Sequence, residues 1–173
     1  MQLGHFGILW AKALGAKEIV AISRTNAKKE DALKMGATKF IATDEDEKWS
    51  DKNAMSLDLI VSTVSSPKMP LQEYLGLLAI SGRFVQVGAP EDVLPNFNGF
   101  ALIFKKATIA GSKIGPPAQI AEMLQLAVDK NVQAWIQKRP MEEVNKAIVD
   151  MDQGKARYRY TLINQKFAEA LKT

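Results

Sequence analysis

Short β-branched runs alternate with amphipathic helix patterns along this chain, and no other feature narrows its fold as much. The opening MQLGHFGILWAKALGAKEIVAISRTNAKKEDALKMGA sets the rhythm. Phe6, Ile8, Leu9, Ala13 and Leu14 recur at helical spacing over His5–Leu14. A buried-type strand over Glu18–Ile22 follows directly, and Asn26 stands where it can cap a helix running to Met35. Gly36 then occupies the position where a helix commonly ends in left-handed backbone.

The pattern continues to the far end. Lys39–Ala42 reads as a strand and TDEDEKWSDKN as a solvent-facing acidic loop. LDLIVSTVSS is a strand, and a helix over about Met69–Leu78 ends near Gly82. GRFVQVG and Ala107–Ser112 are further strands. PPAQIAEMLQLAVDK is a helix with proline in its first turn, where the missing N–H costs nothing. The order α-β-α-β-β-α-β-β-α predicts an α/β fold with a doubly wound, mostly parallel sheet. Beyond Asn131 the character changes to strand, helix, strand and a charged tail, so a boundary is placed there: 1–131 and 132–173.

Composition closes several doors. With 173 residues, 47% hydrophobic and 24% charged, the chain can bury a core. It has no cysteine and one histidine, His5, which excludes a disulfide framework and a cysteine-ligated metal site. The formal charge of +4 is spread along the chain, and Lys28, Lys29, Lys105 and Lys106 lack an aromatic platform, so nucleic-acid binding is not expected. No signal peptide or membrane-length apolar run is apparent, and a soluble, cytoplasmic protein is the expectation.

Two places invite a nucleotide. Leu3-Gly4-His5 looks like the end of a glycine turn before a helix, where orphan N–H groups attract phosphate, although one glycine also fits a simple turn. The strand ending at Ile22 carries no acid at its tip. Ser23, Arg24 and Thr25 stand there instead, with Lys28 and Lys29 beyond. An acid at that corner would bind a ribose 2′-hydroxyl, whereas a guanidinium and hydroxyls suit a 2′-phosphate. The same residues also suit an ordinary helix-entry loop with surface cations.

The stretches LGHFGILWAKALGA, SRTNAKKEDALKMGA, DLIVSTVSS, GRFVQVGAPE, IAGSKIG and RYRYTLIN together resemble the C-terminal half of the zinc-dependent medium-chain alcohol dehydrogenases, nearest the cinnamyl-alcohol dehydrogenase branch. The resemblance covers about Leu3–Asn164 and implies a Rossmann-like fold binding NADP(H). It places Leu3 and Gly4 at the phosphate turn and Ser23, Arg24 and Lys28 at the 2′-phosphate. Thr63, Val64 and Ser65, then Val87, Gly88 and Ala89, fall along the cofactor. Ser112, Lys113 and Ile114 meet the nicotinamide, and Arg157, or Arg159 two residues on, approaches the pyrophosphate. It further implies reversible oxidation of primary, aromatic or allylic alcohols, and dimerisation through the sheet edge at Ala107–Ser112.

The departures are as informative. Met1 and Gln2 stand where the family has two more glycines, and no strand precedes them. In strand order 3-2-1-4-5-6 that leaves the two neighbours of the central strand unpaired. Direct pairing of those neighbours, a strand from a partner chain, or a longer parent protein would each answer the gap. The family's zinc ligands lie mainly on an N-terminal domain that these stretches do not match. The chain is therefore expected to be a partial enzyme holding no zinc, carrying no catalytic residue and inactive alone, or else a non-catalytic dimerisation module. His5 is read as part of the phosphate turn.

Overall fold

Helix α1 (Gln2–Ala13) leads into strand β1 (Val20–Ser23), and a 3-10 turn over Asn26–Lys28 opens helix α2 (Lys29–Met35). Next come β2 (Lys39–Ala42), α3 (Trp49–Lys52), β3 (Leu57–Ser62), α4 (Leu71–Leu77) and β4 (Leu78–Gln86). After α5 (Phe100–Lys105), β5 (Thr108–Gly111) and α6 (Pro117–Asp129) the chain reaches β6 (Ile136–Pro140) and α7 (Val144–Asp152). Strand β7 (Arg159–Ile163) and α8 (Gln165–Ala170) complete it. The computed structural model describes residues 2–64, 66–89 and 93–170.

Every strand pairing is parallel. β1 pairs with β2, β4 lies between β3 and β5, and β6 pairs with β7. The doubly wound α/β reading is thereby met, with one refinement. Two strand-after-strand steps in the sequence reading each conceal a helix, because parallel neighbours need a crossover. Helix α3 lies inside the stretch taken as a solvent-facing acidic loop, and its Trp49 is only 7% exposed. Helix α5 occupies ALIFK ahead of β5. A third difference is that α4 passes into β4 at Leu78 without a turn, so that strand starts before the GRFVQVG segment.

Capping differs too. Gly36 ends α2 with φ 115°, as its position implies. Asn26 does not cap α2, which begins at Lys29. The Asn26 side-chain amide donates to the Glu45 carboxylate, which also accepts the Asn26 backbone N–H at 2.7 Å. The acid in the following loop outbids the helix for this side chain.

Two apolar clusters hold the layers. Ile41, Trp49, Ile60, Met69, Leu71, Leu75, Leu77, Leu78 and Phe84 form the larger one, with Val20 and Ile22 of β1 packed against it. Ile8, Ile19, Ala21, Ala32, Met35, Ala37 and Tyr158 form the second. The Lys105 ammonium donates to the carbonyls of Leu75 and Gly76 at 3.2 and 2.6 Å, satisfying the last turn of α4. In the C-terminal segment Arg139 and Lys155 both pair with Asp150 and hold its carboxyl below the usual carboxylate range. No helix among the described residues is long and apolar enough to cross a membrane.

A gap divides the parallel strands. Among the described residues β1 and β3 are not paired with each other, so direct closure of the neighbours does not occur.

A candidate cofactor cavity at the strand tips

The turn that follows β1, the tip of β3 and the start of α1 converge on one cavity of about 340 Å³. Lys28 reaches it from the turn after β1, Thr63 from the tip of β3, and Leu3 from the first turn of α1. Those are sequence-predicted positions. Met151, Gly154, Ala156 and Tyr158 supply the facing wall.

Charge makes the cavity specific. Burial, then Arg157 and Arg24 nearby, holds the Lys28 ammonium below its ordinary value. Among the described residues no carboxylate lies within ion-pair distance of any of these three cations. Lys28 thus sits in a field of like charge, with the Asp31 carboxylate engaged by the Tyr158 hydroxyl, and an anion relieves that repulsion. The α1 N-terminus adds backbone N–H groups that lack intrahelical acceptors. The residues present therefore fit a phosphorylated ligand.

Tyr158 builds the wall. Its ring is buried and stacks on His5 at 5.5 Å, and its hydroxyl donates to Asp31 on α2 at 2.6 Å. Burial and then the Asp31 carboxylate keep the phenol protonated far above its ordinary range. Tyr158 thus ties the segment before β7 to α2 and sets Arg157 beside Lys28. Arg159 instead lies over the Phe6 ring of α1, 5.2 Å from its centroid. His5 is a buried residue inside α1 and not part of a preceding turn.

The other sequence-predicted residues lie on the same edge of the strands without lining the cavity. Ser23 closes β1, its carbonyl accepting the Thr43 N–H at 2.9 Å, and Thr25 precedes the 3-10 turn in extended backbone. Gly4 sits in the first turns of α1. Val64 follows β3 and its carbonyl accepts the Gln86 side-chain amide at 2.7 Å. Val87 and Gly88 donate their N–H groups to Ser62. A β-carbon on Gly88 would meet the Val64 carbonyl oxygen at 2.5 Å, so only glycine permits the tips of β3 and β4 to approach this closely. Ala89, Ser112, Lys113 and Ile114 are exposed beyond β4 and β5. Ser65 lies outside the described residues.

A family model described as zinc-binding dehydrogenase matches residues 3–129. The chain belongs to this family. It is 34% identical over 165 residues to NADP-dependent alcohol dehydrogenase 6 of Saccharomyces cerevisiae, covering 93% of this chain and 45% of that protein. A probable cinnamyl alcohol dehydrogenase of Arabidopsis thaliana is 37% identical over 163 residues, with 92% and 43% covered. Among solved structures, a cinnamyl alcohol dehydrogenase from Sorghum bicolor superposes with a TM-score of 0.84 at 33% identity, over 91% of this chain and 44% of that one. A Helicobacter pylori relative solved with NADP(H) gives 0.75 at 31% identity, with 91% and 44% covered. This family member therefore spans less than half the length of the relatives it matches.

Among the described residues no three His, Cys, Asp or Glu side chains are grouped to hold an ion, and the sequence contains no cysteine. The donor set does not fit zinc.

Proposed function

We propose that this chain supplies the NADP(H)-binding half of an alcohol dehydrogenase acting in the cytoplasm, one that interconverts primary, aromatic or allylic alcohols and aldehydes. When bound, the nicotinamide accepts or donates the hydride. Residues 1–131 form the cofactor domain in this reading, and 132–173 belong with the catalytic side. Arg24, Lys28, Ser23 and Thr25 receive the 2′-phosphate, while Leu3, Gly4 and Arg157 face the pyrophosphate. Thr63–Ser65, Val87–Ala89 and Ser112–Ile114 line the path toward the nicotinamide. The chain alone oxidises no alcohol.

One observation carries the cofactor assignment: Lys28, under the like charge of Arg157 and Arg24, lines a cavity where the tip of β3 and the start of α1 meet. Titration of the chain with NADPH and NADH, followed by calorimetry, tests it. NADPH should bind at least tenfold tighter, about 1.4 kcal/mol. Equal affinities, or no binding of either, would overturn the assignment.

A second reading, association with another copy, rests on the surface beside β5. Phe100 and Phe104 stack at 6.2 Å on α5, Phe104 is 72% exposed, and among the described residues one side of β5 has no strand partner. Pairing of Ala107–Ser112 with its counterpart would complete that edge, and a second copy could also cover the exposed phenylalanines. Sedimentation should show a dimer that Phe104→Lys weakens at least tenfold; a wild-type monomer at tens of micromolar would count against it.

A further inference from the structure

The backbone runs past the carboxyl ends of β3, β4 and β5 at three neighbouring places, and one residue fastens all three. Gln86 closes β4, the middle strand. Its side-chain nitrogen donates to the Val64 carbonyl at 2.7 Å and to the Gly88 carbonyl at 2.7 Å. Its own backbone carbonyl accepts the Ser112 N–H at 3.1 Å. The tips of the three strands therefore share a single point of attachment.

These bonds reach where the sheet does not. Ser62 and Gln86 are the last paired residues of β3 and β4, so the carbonyls of Val64 and Gly88 lie outside the ladder and need another donor. A glutamine amide carries two N–H donors in one plane. Both are used here. Gly88 makes the geometry possible, since a β-carbon there would meet the Val64 oxygen at 2.5 Å and the Thr63 carbonyl carbon at 2.8 Å.

The far side of the amide fixes its orientation. Among the described residues no donor reaches Gln86 Oε1, although that atom is buried. A buried acceptor without a partner is unfavourable. Turning the amide over would nevertheless be worse, because it would face two carbonyl oxygens with a third. The side chain is thus held by its donors. A trans peptide sets C=O and N–H on opposite sides, so holding the Gly88 carbonyl also turns the Ala89 N–H away from Gln86.

We propose that, in the proposed NADP(H) site on which this inference rests, Gln86 is a positioning residue for the nicotinamide end of the cofactor. It holds the tips of β3, β4 and β5 as one preformed cradle. An apolar side chain of equal length fills the same space and leaves the Val64 and Gly88 carbonyls to water, so the tips then move independently.

Calorimetry of the whole 173-residue chain tests this with two ligands. One is NADPH; the other is 2′-phospho-ADP-ribose, which keeps the adenosine phosphates and lacks the nicotinamide. Gln86→Met preserves side-chain length and removes both donors. It should weaken NADPH about tenfold or more and leave 2′-phospho-ADP-ribose within about threefold. Equal weakening of the two ligands would make Gln86 a general support of the fold and overturn the proposal, as would unchanged NADPH binding. If Gln86→Met fails to fold, NMR of the wild-type chain decides. NADPH should shift the Gln86 side-chain amide resonances, and 2′-phospho-ADP-ribose should leave them in place; the same response to both ligands overturns the proposal. Wild-type binding of 2′-phospho-ADP-ribose upholds the phosphate site whatever Gln86 does, whereas binding of neither ligand removes that site and this role together.

Discussion

Replacing Arg24 and Lys28 together with alanine is expected to weaken NADPH binding about 100-fold while leaving NADH within about threefold. A hydrogen bond to a charged group contributes about 1.5–3 kcal/mol. Arg24 is exposed, so the low end applies. Two such losses sum to about 3 kcal/mol, slightly over two decades in affinity. NADH has no 2′-phosphate to lose. Arg157→Ala should behave differently, weakening both cofactors, because the pyrophosphate is common to them. Calorimetric titration of the variants with each cofactor separates these outcomes. Loss of NADH binding in the double variant would place Arg24 and Lys28 elsewhere on the cofactor.

The same cluster sets a pH dependence. The Lys28 ammonium is held below its ordinary value by burial and its two arginine neighbours. A dianionic phosphate stabilises the protonated form, so binding takes up a proton once the pH approaches that lowered value. NADPH affinity then falls as pH rises through it, and NADH affinity does not follow. Parallel curves for the two cofactors would remove Lys28 from the phosphate site.

The largest effect on stability is expected at Phe84. It is fully buried in β4, the middle strand of β3-β4-β5, and its ring stacks on Tyr74 at 6.5 Å. Leu71, Leu75, Leu77 and Leu78 belong to the same cluster. Phe84→Ala should cost about 3–5 kcal/mol, a large part of the ~5–15 kcal/mol that holds an ordinary domain together. Urea unfolding should show the midpoint falling sharply or the transition losing its cooperativity. Phe84→Leu preserves most of the volume and should cost under about 1.5 kcal/mol. Ile80→Ala, on the same strand but 65% exposed, should change little. Equal losses at Phe84 and Ile80 would contradict the placement of the core.

Local pattern explains which parts of this architecture are legible in the sequence. Lys39–Ala42 is a strand as read, and Gly36 closes α2 as its position implies, because both depend on neighbouring residues. Helix α5 escapes that reading. Its stacked Phe100 and Phe104 and exposed Ile103 spread apolar residues around a short helix, so no helical stripe emerges. Trp49 is an anchor hidden in a run of charges, and only the cluster it joins reveals why a helix forms there.

The candidate site divides along the same line. Leu3, Lys28 and Thr63 stand at element boundaries that periodicity locates, and they meet at the cavity. Met151, Ala156 and Tyr158 were missed because their role depends on contact with elements far away in sequence. Gly154, with φ 70°, was the available signal: a turn between α7 and β7 that returns the chain toward α1.

Asp31 and Tyr158 are 127 positions apart, yet their hydrogen bond fixes one side of the cavity. Arg24 and Lys28 therefore leave the ribosome long before Arg157 and Tyr158, and the cavity closes only when these distant segments meet. Under the proposed function, cofactor occupancy reports that the segment around Asp31 and the segment around Tyr158 have come together.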